Sequence, residues 1–276
     1  MRREEELTKH AIHFVLHGYE NSILSWLKFT ENFFEANGYP LKSVSYDINR
    51  HKFQRKSLKA FCKQLTEEPD FPVDWLYSFC AFAGASQKHP DTWYFGCEYD
   101  APNQVLKLFF DTSFPKEDIL SFYKNYLNAL LKTTAVWTGY LFDFRSNNMY
   151  SSGDIWNSLN YYKENAEPWS KLMDGFSKHI RGSDPKKEDT IQRFNLDEVV
   201  PSKNMYRHIY EQNILSQQHM DEKFDGLSLT EWIDKNKYGA VEKIGTKNWL
   251  WTVPKEKLYE VQVAFYNKGL LLGVEA

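Results

Sequence analysis

The histidines are the residues of this chain whose type and spacing come closest to those of a metal-binding site. His13 and His17 lie four residues apart within 11–17, which the apolar pattern predicts as the first strand, so both side chains share one face of it. Two neutral imidazoles on one face could bind a divalent metal ion. No third ligand stands near them in the sequence, and a metal site needs three or four ligands. We therefore predict no metal site and no cofactor.

A second candidate group lies in the loop-rich middle of the chain, at Asp174, His179 and Arg181. A hydrolase could use such a trio for acid–base work, but the spacing fixes no geometry. The sequence has no P-loop, dinucleotide-binding glycine fingerprint, His-Glu-x-x-His or Gly-x-Ser-x-Gly motif. We predict a protein that is not an enzyme, with a hydrolase or metal-dependent enzyme of unknown substrate as the alternative.

Carboxylates gather around a predicted hairpin whose strands are 93–99 and 104–111. Glu98 and Asp100 stand at the end of its first strand. Paired carboxylates can hold a divalent ion or move protons. They can also complement a basic partner surface, and we predict that role for these two residues.

Basic residues dominate 42–63, where Asp47 is the only acid. Phosphate binding is one interpretation of this stretch. The other is a solvated helix face opposite an apolar stripe of Leu58, Phe61 and Leu65, and it requires fewer assumptions.

The segment 147–169 is the strongest candidate for a binding surface. It sets tyrosine and tryptophan among serine, asparagine and glycine, a composition typical of protein-binding loops. Irregular packing is the alternative interpretation. We predict that four of its aromatic residues anchor a protein partner: Tyr150, Trp156, Tyr161 and Tyr162.

Composition excludes several classes of protein. The 276 residues include 34 Lys and Arg against 37 Asp and Glu, a net charge of −3, so we expect no nucleic-acid partner. Three scattered cysteines predict neither a disulfide scaffold nor a cysteine zinc site, and they fit a reducing compartment. No apolar run reaches membrane-spanning length. These features together predict a cytoplasmic protein with no membrane partner.

Hydrophobic periodicity and turn residues predict an α+β fold: a mixed β-sheet with packed helices, and a more helical C-terminal half. We expect a sheet-rich half, 1–145, and a helix-rich half, 146–276, within one compact body. The predicted helices are 23–36, 57–65, 115–131, 202–218, 228–236 and 255–268. The predicted strands are 11–17, 41–48, 73–83, 93–99, 104–111, 136–144 and 249–253.

Three stretches carry a resemblance to a known class of proteins. They are the hairpin–helix–strand region 93–140, the segment 213–233, and the ending 239–253 with its last helix. In aromatic positions and element order the chain resembles the immunity proteins of bacterial polymorphic-toxin, contact-dependent and type VI secretion systems. The resemblance implies a cytoplasmic α+β antitoxin that binds and blocks a cognate toxin or effector in bacterial competition. It transfers no catalytic residue, because these families share none.

Overall fold

The structure is a computed structural model, and it describes residues 9–19, 21–48, 54–81, 93–101, 104–111, 116–146, 206, 209–268 and 270. The strands are β1 Lys9–His17, β2 Ser43–Asp47, β3 Gln54–Ser57, β4 Trp75–Ala81, β5 Trp93–Asp100, β6 Val105–Asp111, β7 Thr138–Ser146, β8 Gln212–Ser216, β9 Lys223–Phe224, β10 Leu227–Ser228, β11 Ala240–Ile244 and β12 Asn248–Thr252. The helices are α1 Ile23–Ala36, α2 Leu58–Glu67, α3 Lys116–Leu130, α4 Gln217–Asp221, α5 Leu229–Asn236 and α6 Leu258–Asn267, with a 3₁₀ turn at Lys255–Lys257.

Ten strands form one sheet in the order β11-β12-β8-β7-β1-β6-β5-β4-β2-β3, and β9 and β10 form a separate hairpin. The predicted α+β class is confirmed. The predicted mixed sheet is wrong, since each strand pair that the structure describes is antiparallel. The predicted β-α-β unit would have made β1 and β2 parallel neighbours. Instead β6, β5 and β4 lie between them, so each strand meets antiparallel partners.

Helices α1, α2 and α3 cover one face of the sheet, which we call the α1–α3 face. Helix α1 begins after Ser22, whose hydroxyl accepts a hydrogen bond from the Ser25 amide at 3.2 Å. Buried side chains of β1, β6, β7 and β8 share the core of this face with these helices. The Tyr126 hydroxyl of α3 accepts the Trp26 indole N–H at 3.0 Å and is also hydrogen-bonded to Thr30, so α1 and α3 bury their polar atoms in pairs.

The opposite face of the sheet, which we call the far face, is covered at its C-terminal end by α5 and α6. Successive residues of a strand point to opposite faces. Ile214 of β8 therefore belongs to the core of the α1–α3 face, and Leu215 packs in a second core that includes Trp232 and Phe265. Helices on both sides bury β8 completely at its centre.

Strand β8 corrects the helix predicted over 202–218. Its central residues, Asn213, Ile214 and Leu215, are all buried, so the strand lacks the alternation of a half-exposed strand. In the described part of that range, only residues 217 and 218 are helical, as the first two residues of α4.

The sheet joins both predicted halves, because β8 of the C-terminal half pairs with β7. The division into 1–145 and 146–276 stays a prediction. Where the structure describes the C-terminal half, the elements from β8 to α6 are five strands, three α-helices and one 3₁₀ turn. Within the described ranges, no helix combines the length and the apolar character needed to cross a bilayer.

Candidate functional site

On β2, β5 and β6 the far face carries polar residues such as Ser45, Glu98 and Lys107, which alternate with buried residues of the α1–α3 face such as Val44, Cys97 and Leu106. One register row crosses this face through all ten strands of the sheet, at Arg55, Ser45, Tyr77, Glu98, Lys107, Val15, Tyr140, Asn213, Trp251 and Val241. Its C-terminal end joins the core under α5 and α6 through Trp251. Its other end includes serine, glutamate, lysine and arginine, so the two ends of the far face differ in chemistry.

An ion pair lies near the middle of the row. Glu98 of β5 stands directly opposite Lys107 of β6, and its carboxylate lies 3.5 Å from the lysine Nζ. The Lys107 side chain is 6% exposed and that of Glu98 20% exposed. A buried ammonium is costly without an opposite charge beside it. The charge of Glu98 is therefore partly neutralised inside the protein, a feature that sequence reasoning missed.

The alternation of side chains along β6 indicates which face of the sheet Lys107 lies on. Leu106 and Leu108 are buried on the α1–α3 face, so Lys107 between them must lie on the far face. Val105, two residues away on that same face, is buried in a small cluster with Tyr140 and Tyr210. A lysine flanked by such positions is placed among buried residues, where it requires a carboxylate.

Asp100 is the last residue of β5 and stands opposite Trp75 of β4 and Val105 of β6. It is two residues from Glu98, so both predicted residues occupy the far face. Asp47 of β2 stands opposite Trp75 in the same row and is half-buried. The structure thus places three acidic positions on one face of the sheet: Asp47 on β2, and Glu98 and Asp100 on β5, with β4 between these two strands.

The four predicted aromatic anchors, Tyr150, Trp156, Tyr161 and Tyr162, lie outside the described residues. The candidate hydrolase trio, Asp174, His179 and Arg181, also lies outside them. The roles assigned to these residues remain predictions.

In the pairing of β1 with β6, His17 stands opposite Val105 and His13 opposite Phe109. Across the described part of the chain, no three His, Cys, Asp or Glu side chains are grouped so that they could hold a metal ion.

The basic stretch follows the solvated-helix interpretation. Leu58, Phe61 and Leu65 of α2 are buried, as the apolar stripe predicts. Lys63 lies on the exposed side of the helix and forms an ion pair with Glu67 at 3.6 Å. A phosphate site would bring its cations together, but here Lys63 points into solvent with its own carboxylate partner.

No family model matches the chain, and no curated protein matches it either. Among solved structures, the chain is similar to a type VI secretion system (T6SS) protein of Pseudomonas aeruginosa at 8% sequence identity and a TM-score of 0.49. The alignment covers 96% of this chain and 73% of that protein. A likeness at this level assigns neither a family nor a function to the chain.

Proposed function

We propose that this chain is an immunity protein that binds a cognate toxin domain in the cytoplasm, as antitoxins of type VI and related secretion systems do, and blocks it sterically. The observation that carries the proposal is the far face of β2 to β6. There Asp47 of β2 and Glu98 and Asp100 of β5 lie on either side of β4 in a wide sheet. Such a face suits a charged protein surface, because complementary charge steers encounter and fixes orientation.

The size of this face limits how much of an interface it could supply. Strands β3, β2, β4, β5 and β6 are neighbours, so at about 4.8 Å per strand spacing they span about 19 Å. Seven residues of strand add about 23 Å in the other direction. The product is about 440 Å², but Ser45, Val105 and Lys107 on this face are already buried in the free chain, so the face supplies less than half of the 800 Å² that each partner contributes to a standard interface. A second element must supply the remainder.

The aromatic segment 147–169 supplies it in this proposal. Tyr150, Trp156, Tyr161 and Tyr162 would act as anchors, because tyrosine and tryptophan dominate binding energy at interfaces. Glu98 and Asp100 would complement a basic toxin, such as a nuclease. A preformed surface of this kind inhibits by covering the toxin's active site, and it needs no catalytic residue of its own.

The test begins with the tagged full-length chain as bait in native cell lysate and mass spectrometry of the proteins that it retains. A recovered toxin domain is then purified, and its activity is measured with increasing amounts of the chain. We expect stoichiometric inhibition. A toxin domain that binds but keeps its activity at saturation would contradict the proposal, and so would the absence of any toxin from repeated captures with folded bait.

Trp156→Ala tests the assignment of the anchor. We expect its affinity for the purified toxin domain to fall at least about fivefold, equivalent to about 1 kcal/mol. Tyr259→Ala is the matched control, since Tyr259 is an exposed aromatic residue of α6 remote in sequence from 147–169. Isothermal titration calorimetry would measure both variants. Equal affinities for Trp156→Ala and the wild type would remove Trp156 from the interface.

A further inference from the structure

The two edge strands of the ten-stranded sheet differ in how much backbone they offer for pairing with a further strand. At one edge, β3 has four residues and continues directly into α2. Its last residue, Ser57, is the N-cap of that helix, and its hydroxyl accepts from the Ala60 amide at 3.3 Å. This edge therefore offers only four strand residues before the helix begins. At the other edge, β11 has one neighbour among the strands that the structure describes, β12.

The direction of the β11 backbone follows from the ladder beside it. The Val253 amide donates to the Glu211 carbonyl at 2.9 Å, in register with β12–β8 pairing. Hydrogen-bonded pairs alternate in an antiparallel ladder. Residues 249 and 251 of β12 therefore bond to β8, and residues 248, 250 and 252 bond to β11.

The outward-facing residues of β11 are then Val241 and Lys243. Residues 240, 242 and 244 stand opposite 252, 250 and 248 and use their amides and carbonyls within the sheet. The N–H and C=O groups of Val241 and Lys243 point away from β12. In the described part of the chain, no backbone hydrogen bond satisfies them. An edge of this kind is a template for another strand.

Side chains along the edge set the chemistry of a strand that could pair with it. On the far face, Val241 is half-buried and Lys243 is exposed, with its ammonium 5.9 Å from the centre of the Trp249 ring. On the α1–α3 face, Glu242 forms an ion pair with Lys124 at 2.8 Å. An incoming strand would meet an apolar position and a cation, two residues apart, on the far face.

A second copy of the chain fits this edge poorly. Antiparallel two-fold pairing centred on Glu242 would place glutamate opposite glutamate, and pairing centred on Lys243 would place lysine opposite lysine. Like charges directly opposite each other are destabilising. Pairing centred on Val241 would need Gly239 in the ladder, but its φ of +102° lies outside the β region. The edge therefore favours a different chain.

We infer that the outer edge of β11 accepts an extended segment of the toxin as an added antiparallel strand. The segment would carry an apolar residue opposite Val241 and a carboxylate opposite Lys243. This inference rests on the proposed function and specifies where part of the toxin binds. Main-chain hydrogen bonds would supply affinity, and the two side-chain positions would supply specificity.

Amide hydrogen exchange of the full chain, measured by NMR, tests the inference directly. In the free protein, the Val241 and Lys243 amides should exchange fast, and the Glu242 and Ile244 amides slowly. In complex with the purified toxin domain, the Val241 and Lys243 amides should become protected. An inhibited complex in which both amides still exchange fast would overturn the inference and leave the proposed function intact.

Lys243→Pro provides a second readout. Proline removes an outward N–H and leaves the β11–β12 bonds in place, so the melting temperature should stay near that of the wild type. Toxin affinity should fall at least about tenfold, because a hydrogen bond is lost and the ring obstructs the added strand. Lys243→Ala is the matched control, because it keeps the backbone N–H and removes only the charged side chain. Its toxin affinity should fall less, and that fall measures the contribution of the Lys243 side chain.

Three other results would count against the inference. Wild-type affinity of the folded Lys243→Pro variant would overturn it. Sedimentation of the toxin-free chain as a dimer that Lys243→Pro dissociates would assign the edge to a second copy. Failure of the wild-type chain to bind any toxin domain would overturn this inference together with the proposed function.

Discussion

Replacing Glu98 with glutamine should destabilise the folded protein by about 3 kcal/mol. The substitution keeps the size of the side chain and removes the negative charge 3.5 Å from the Lys107 ammonium. The ammonium is then left buried without that charge, and burial of an ammonium is unfavourable unless an opposite charge compensates it. The result decides whether Glu98 is chiefly a structural partner of Lys107 or a residue available to a toxin.

The magnitude follows from the geometry. Two unit charges 3.5 Å apart attract by about 5 kcal/mol at an effective dielectric constant of 20. The Glu98 side chain is 20% exposed, so water screens part of this attraction. Breaking a buried ion pair from one side typically costs 3–5 kcal/mol, and partial exposure favours the lower end. A loss of about 3 kcal/mol would lower the melting temperature by about 6 °C or more.

The assay is equilibrium unfolding in urea, followed by tryptophan fluorescence, for Glu98→Gln, Lys107→Met and the double variant. The double-mutant cycle should give a coupling energy of at least about 2 kcal/mol. Lys63→Met and Glu67→Gln form the matched control cycle, because that pair is 3.6 Å apart but 75% and 62% exposed. Its coupling should stay below about 0.5 kcal/mol. Equal couplings in the two cycles would refute the argument from burial.

Two further substitutions have matched controls. Gly18→Ala should lower the free energy of unfolding by at least about 3 kcal/mol in thermal unfolding, because the φ of Gly18 is +76° and the new Cβ would lie 2.4 Å from the Trp137 ring. Gly38→Ala is the control: Gly38 has a φ of +85° with open space around it, so the loss should be only about 1 kcal/mol. Equal costs would show that the ring does not restrict the site. Asn248→Asp should cost about 2–4 kcal/mol in urea unfolding, because the buried amide donates to two backbone carbonyls at 2.8 and 3.1 Å. The exposed Asn37→Asp, which loses one donor bond, should change stability by under about 1 kcal/mol, and a comparable loss would contradict this account.

The helices of the N-terminal half could be predicted closely because their signals are local. The helix predicted over 23–36 has the same bounds as α1, and those predicted over 57–65 and 115–131 match α2 and α3 to within two residues at each end. A capping serine starts α1 and α2, and each carries an apolar stripe on one side. These features lie within a few residues of the element that they define.

The short strands could not be predicted in the same way. Strand β3 at one edge of the sheet is wholly polar, and β11 at the other edge has Glu242 and Lys243 in succession, so neither has the apolar alternation that predicts a strand. The sequence predicts a helix where β8 lies, and the buried residues of β8 are consecutive. Such a run has the same appearance in a buried strand and in a buried helix. In each case a neighbouring strand determines the structure.

The sequence by itself determined the α+β class, the helices with caps and apolar stripes, and the placement of Glu98 and Asp100 on one face of a strand, since side chains alternate along any strand. Only the tertiary structure decided that β1 lies between β6 and β7, that Lys107 pairs with Glu98, and that β11 ends the sheet. Strand order depends on pairing between segments far apart in the chain. The stability of such pairing comes from the packing of the whole sheet, and no local pattern of residues encodes it.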